Sequence, residues 1–114
     1  FVNQKELREY YKVCDLLVVP SVYETWGLNI NEAFVTNTPV ICTCDCGASE
    51  DLIVNGETGY TYKSGNVLDL QKKVFKILKN RKVHKKMSKN INKKNKKYSM
   101  NYTIKSISKI LNEK

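Results

Sequence analysis

The run Asp15-Leu16-Leu17-Val18-Val19-Pro20 limits what this chain can fold into more than any other stretch. Apart from its leading aspartate it is leucine and valine closed by a proline, which suits a strand buried on both faces of a parallel sheet. Pro20 and Ser21 end it. Helical spacing then takes over, with Leu28, Ala33, Phe34 and Val35 as an apolar stripe, so the intervening turn lies between the C-terminal end of a strand and the N-terminus of a helix. In open α/β sheets, ligands bind at that edge.

The residue types there define a chemistry. Amides around Gly27, Leu28 and Asn29 have no intrahelical acceptor, and the helix dipole adds partial positive charge, so a phosphate or a sugar hydroxyl is the natural guest. Gly27 lets the backbone come close to such a guest. Glu24 lies in the loop, and Glu32 follows eight positions later inside the helix. Carboxylates repel phosphate, so hydroxyls are their better partners. One carboxylate can accept two hydrogen bonds from a vicinal diol such as a ribose, as the acidic residue of dinucleotide-binding folds does.

The rest of the chain alternates in the same way. Gln4 to Val13 carries Leu7, Tyr10 and Tyr11 at helical spacing and reads as an amphipathic helix leading into the strand at Asp15–Val19. Asn37-Thr38 stops the next helix, Pro39–Thr43 is a second strand, and Cys44–Ser49 is a loop on the same sheet edge as the first. Glu50–Val54 reads as a short helix, Asn55-Gly56 as its exit turn, and Tyr60-Thr61-Tyr62 as a third strand. Asn66 is placed to cap a helix whose apolar face is Val67, Leu70, Val74, Ile77 and Leu78. A further helix from Val83 to Lys97 has a thin stripe of Met87 and Ile91. Tyr98-Ser99-Met100 is expected to break it, and Ile104, Ile107, Ile110 and Leu111 shape a last one.

Charge divides the chain. Residues 1–62 carry a formal charge of −6 and residues 63–114 one of +15, so the net +9 is wholly C-terminal. The lysines between Lys72 and Lys97 are spread as pairs between apolar residues, the ordinary pattern of a solvated helix face. Attraction to anionic headgroups, at on the order of 1 kcal/mol per basic residue near the surface, is the sharper expectation and points to peripheral membrane contact through the basic helices. Nucleic acid ranks third, since no aromatic platform or glycine-rich signature interleaves the charge. No apolar run approaches the ~20 residues of a membrane span and no signal peptide is evident, so the setting expected is cytoplasmic, with peripheral placement at the inner face of a membrane as the variant of it. Cys42, Cys44 and Cys46 alternate and would share one face of a strand, unlike the two-residue gaps of zinc sites, and the only histidine is His84. Reduced thiols and no metal are expected.

Pro20 to Gly59 resembles the donor-binding half of the C-terminal domain of retaining glycosyltransferases of the GT-B fold, family 4 or group 1. That family carries two glutamates with seven residues between them, in a proline-serine and aromatic-glycine context. Glu24 and Glu32 match in spacing, and Pro20, Ser21, Trp26 and Gly27 match in context. The likeness continues through Glu32-Ala33-Phe34, Pro39-Val40-Ile41, Gly47 with Glu50 or Asp51, and Asn55-Gly56-Glu57-Thr58-Gly59. Departures are Thr25 and Asn37, where the family usually has glycine, and the single Gly47 between Cys46 and Ala48 in place of a glycine pair. Asparagine tolerates the left-handed region best among non-glycine residues, so Asn37 can still end a helix.

The resemblance implies an α/β fold: a Rossmann-like parallel sheet with flanking helices, the C-terminal part of a GT-B C-terminal domain. Residues 1–62 would be its donor-binding portion, and residues 63–114 the basic helices of the same domain. It implies transfer of a sugar, in polysaccharide biosynthesis, from a UDP- or GDP-sugar to an acceptor hydroxyl with retention and without a metal cofactor. Glu24 would orient the donor sugar as the catalytic residue. Trp26, Gly27, Leu28, Asn29 and Glu32 would bind the donor, Glu32 through the ribose. The glycan or lipid-linked acceptor would sit on an N-terminal domain, so the chain is expected to be a fragment, inactive alone. The alternative is a non-catalytic module that binds a nucleotide-sugar or an anionic surface.

Overall fold

The computed structural model describes residues 4–20, 28–46 and 49–112. In chain order the elements are α1 (Gln4–Val13), β1 (Leu17–Val19), α2 (Leu28–Val35), β2 (Val40–Thr43), α3 (Ser49–Leu52), β3 (Gly59–Tyr62), α4 (Val67–Leu78) and α5 (Arg81–Asn112). The strands form one sheet in the order β1-β2-β3. Both pairings are parallel, with Val19 opposite Cys42 and Ile41 opposite Tyr60. This is the α/β parallel sheet with flanking helices that the alternation of strand and helix patterns implies.

Burial on both faces, expected of β1, belongs to β2. All four residues of β2 are buried, whereas in β1 only Val19 is, with Leu17 and Val18 half-buried. The cause is position, since among the described residues β1 has a strand neighbour on one side only. Side chains alternate across the sheet. Leu17, Val19, Val40 and Cys42 pack with Tyr11 of α1, Ile30, Ala33 and Phe34 of α2, and Ile53 after α3. Ile41, Tyr60 and Tyr62 face the other way, toward Leu70, Val74 and Ile77 of α4. That α2 and α3 share a face follows from right-handed crossovers between strands that advance in one direction.

Helix α5 belongs to both layers. Val83 and Met87 pack in the α4 layer, while Ile91 is buried in the α2 layer. Along its length it engages carbonyls of the α/β part. His84 Nε2 lies 2.7 Å from the Asp15 oxygen, and Asn90 Nδ2 donates to the Glu57 oxygen at 3.0 Å. Lys94 Nζ donates to the Leu52 oxygen at 3.0 Å, and Asn95 Nδ2 to the Phe34 oxygen at 2.6 Å. Asp15 precedes β1 and Glu57 precedes β3, so α5 crosses the edge where the strands begin.

Three expectations need correction. The break at Tyr98-Ser99-Met100 does not occur, and the separate final helix is the C-terminal part of α5. Residues 81–112 contain no proline or glycine, and tyrosine and serine cost a helix interior only about half a kcal/mol each. Cys44 does not share a strand face with Cys42 and Cys46, because β2 ends at Thr43; Cys44 is exposed while the other two are buried. Finally, Tyr10, Val35, Val67 and Leu78 point outward although the spacing groups them with buried neighbours. Residues next to one another on a helix are about 100° apart, so a narrow contact buries Tyr11 or Phe34 and turns the adjacent residue away.

The ends of the elements follow the capping rules. Asn66 Oδ1 accepts from the Asp69 amide at 3.0 Å and starts α4, as its sequence position indicates. Asn37 has φ of 59° and ends α2 in the left-handed conformation that glycine usually supplies.

Candidate functional site

Because β1 and β2 are parallel neighbours, the chain leaves both at one edge, through Pro20 after β1 and Cys44 after β2. Helix α2 starts back from that edge at Leu28. The first amides of a helix, here including those of Leu28, Asn29 and Ile30, have no intrahelical acceptor, and the dipole makes this end electropositive. Of the residues that the sequence nominates, Leu28 and Asn29 thus have their backbones in the first turn of α2. Their side chains lie outside the described residues, as do Glu24, Trp26 and Gly27 as a whole.

Glu32 is the fifth residue of α2, roughly 6 Å along the helix from its start. It is half-buried, and Tyr11 Oη of α1 donates to its Oε2 at 3.3 Å. Tyr11 is itself 8% exposed. Burial pushes its phenol above the ordinary tyrosine value, and the neighbouring Glu32 carboxylate adds to the push, so Tyr11 stays protonated and remains a donor. An ionised carboxylate has about four lone-pair sites, and the phenol uses one of them. Glu32 is therefore a carboxylate held in place by a neighbouring helix that retains capacity to accept further hydroxyls.

The sequence gives no signal for Tyr11 in this role, because its partner lies 21 positions away and the pair meets only when α1 packs on α2. The α5 side chains that hold backbone carbonyls are equally invisible, hidden in a run that reads as solvated charge.

The other stretch in the resemblance, Asn55 to Gly59, is built as a turn. Asn55 Oδ1 accepts from the Thr61 amide at 2.8 Å. Thr58 Oγ1 donates to the Leu52 oxygen at 3.2 Å and accepts from the Val54 amide at 3.0 Å. A Cβ at Gly59 would stand 1.8 Å from the Val40 oxygen, so this turn delivers β3 against β2 where only glycine fits. It precedes β3 and so lies at the edge opposite the start of α2. Glu50 and Asp51 have backbones in α3, with side chains outside the described residues.

Comparison with known proteins gives this geometry a family. The pattern described as Glycosyl transferases group 1 matches residues 1–94, from the start of the chain into α5. The chain belongs to the group 1 glycosyltransferases. An uncharacterized glycosyltransferase from Methanocaldococcus jannaschii is 28% identical over 108 residues, which is 95% of this chain and 30% of that protein. Among solved structures, the C-terminal domain of a glycosyl transferase group 1 family protein (LpcC) from Francisella tularensis superposes with a TM-score of 0.71 at 26% identity, over 80% of this chain and 46% of that one. A sucrose-phosphate synthase from Thermosynechococcus elongatus superposes with a TM-score of 0.79 at 24% identity, over 96% of this chain and 28% of that one, a likeness of fold alone. The group 1 glycosyltransferase chain described here thus spans about a third of the archaeal relative's length. Its fold is that of the C-terminal domain of GT-B enzymes. No described helix is long and apolar enough to cross a membrane.

Proposed function

We propose that the protein containing this chain transfers a sugar from a UDP- or GDP-sugar to an acceptor hydroxyl with retention of configuration, and that this domain holds the donor. The observation that carries the reading is Glu32, half-buried on the α2 segment that starts at the strand-end edge and hydrogen-bonded by Tyr11, in a chain of the group 1 family. In this reading Glu32 accepts both ribose hydroxyls and the first amides of α2 receive the diphosphate or the sugar. Glu24 and Trp26 position the sugar from the segment that precedes α2 in sequence. The acceptor, a glycan or a lipid-linked saccharide, attacks on the face the leaving group vacates. Positioning and stabilisation of the diphosphate supply the rate without a divalent metal. In this reading the protein works in the cytoplasm, where thiols such as those of Cys42 and Cys46 stay reduced.

The test is donor binding and product analysis in the intact protein. Removing a carboxylate that accepts two hydroxyls costs about 1.5–3 kcal/mol, so Glu32→Ala should weaken UDP- or GDP-sugar binding roughly 10- to 150-fold by calorimetry. Transfer should survive chelation by EDTA, and NMR of the product should show the donor's anomeric configuration. Equal donor affinity in wild type and Glu32→Ala refutes the role of Glu32. Donor binding with neither transfer nor hydrolysis leaves a non-catalytic binding module instead.

A further inference from the structure

Helix α5 crosses the edge of the sheet opposite the candidate donor site, and its outward face is a row of charge. Lys82, Lys86, Lys89, Lys93 and Lys97 follow one another at helical intervals of four, three, four and four residues, and all are exposed. Lys85 and Lys96 flank the row and are also exposed. From Lys82 to Lys97 the row is about 22 Å long. The buried Met87 and Ile91 occupy the opposite face. No acidic residue occurs between Arg81 and Lys97, so nothing within this stretch of helix neutralises the row. Like charges at i,i+4 destabilise a helix, and an external anion would relieve that repulsion.

The row borders a concavity. Between α5 and the Val54–Thr58 turn lies an open groove of about 440 Å³, with Lys86, Lys93, Lys94 and Lys97 on one wall and Gly56 and Glu57 on the other. Lys86, Lys93 and Lys97 belong to the row; Lys94 is engaged with the Leu52 oxygen. One carboxylate against four ammonium groups leaves the groove electropositive.

Two features of the chain favour one kind of anion. Helix α4, which packs with α5, also exposes lysines, but between apolar side chains. Leu68, Lys72, Phe75 and Lys79 share one helix face, with Leu68 71% and Phe75 47% exposed. Lys79 Nζ sits 5.1 Å from the centre of the Phe75 ring. Exposed apolar groups among lysines suit the boundary of headgroups and acyl chains. A nucleic acid would be served by stacking aromatics among the charges, and residues 81–97 contain none.

We propose that the lysine row of α5, with the groove beside Glu57, is a docking face for an anionic phospholipid surface, and that the groove seats headgroup phosphate. Docking there leaves the strand-end edge free. The inference is independent of the donor chemistry.

The experiment is flotation of the intact protein with vesicles of phosphatidylcholine alone or with added phosphatidylglycerol. Binding should require the anionic lipid and fall steeply with salt. Each lysine near such a surface changes partitioning by about fivefold, so Lys86→Gln, Lys89→Gln, Lys93→Gln and Lys97→Gln together should lower it by at least about a hundredfold, while arginine at the same four positions keeps it. Lys94 is left in place because of its structural bond. Absence of partitioning, or partitioning unchanged in the glutamine variant, overturns the proposal. Retention of an RNA homopolymer without vesicle binding overturns it in favour of nucleic acid. If the glutamine variant does not fold, the salt titration of the wild type decides, and a flat response rejects an electrostatic surface.

Discussion

Gly59 offers the sharpest test of how the sheet is assembled. Its position at the start of β3 places a would-be Cβ 1.8 Å from the Val40 oxygen and 2.8 Å from the Val40 carbonyl carbon. Ordinary carbon to oxygen contact is at about 3.3 Å, so Gly59→Ala must push the strands roughly 1.5 Å apart at this end. The Val40 amide is already at 3.4 Å from the Thr58 oxygen, and that bond is lost, as is the adjoining ladder bond. Losing two hydrogen bonds next to buried Val40, with polar groups left unsatisfied, costs about 3–5 kcal/mol in sum. A whole domain has only about 5–15 kcal/mol of stability. The control is Gly56→Ala in the same turn, where φ is +85° and nothing lies within 4 Å of the added carbon. Its cost is the left-handed backbone alone, about 1–2 kcal/mol. Thermal melting and amide exchange of the intact protein should show Gly59→Ala far below wild type, with β2 and β3 deprotected, and Gly56→Ala only slightly below. If the two variants melt together, the close approach of β3 to Val40 is wrong.

Asn37, at φ 59°, predicts an ordering at the end of α2: Asn37→Gly should be neutral or slightly stabilising, and Asn37→Val should lower stability by about 1–2 kcal/mol, read by chemical denaturation. Burial pushes the Cys42 thiol up to about 12 from its ordinary value of 9.0, and the nearby Cys46 adds to the shift. Above pH 9 the unfolded chain releases this proton while the native state holds it, so the thiol's contribution is full below pH 9 and lost as pH rises toward 12. Melting temperature should therefore fall across that window, less steeply in Cys42→Val, and an unchanged slope would rule the thiol out; Tyr11 and Tyr62, also raised, push in the same direction. Thiol reagents should label the exposed Cys14 and Cys44 ahead of the buried Cys42 and Cys46.

Much of the fold is legible in local pattern, because the alternation of short apolar runs with helical stripes is a local signal. α1, β2, β3 and the Asn66 cap fall where spacing and capping rules place them. What could not be read depends on packing between distant segments. Whether Tyr10 or Tyr11 turns inward is decided by where α2 lies, and the pairing of Tyr11 with Glu32 by the same contact. The continuity of α5 through Tyr98 escapes local pattern because weak helix formers resemble a stop, although neither glycine nor proline is present to enforce one. For the candidate site, the spacing of Glu24 and Glu32 supplies the nomination, and the placement of Glu32 beside Tyr11 adds an orientation that no spacing could supply.

The crossing of α5 over both layers carries a mechanical consequence. A single uninterrupted helix of 32 residues, about 48 Å long, is fastened by its first half to carbonyls before β1, before β3, at the end of α3 and at the end of α2. Such a rod is a lever. Torque applied to its distal half reaches the front and back of the sheet together, and among the carbonyls it pulls on is that of Phe34, two residues from Glu32.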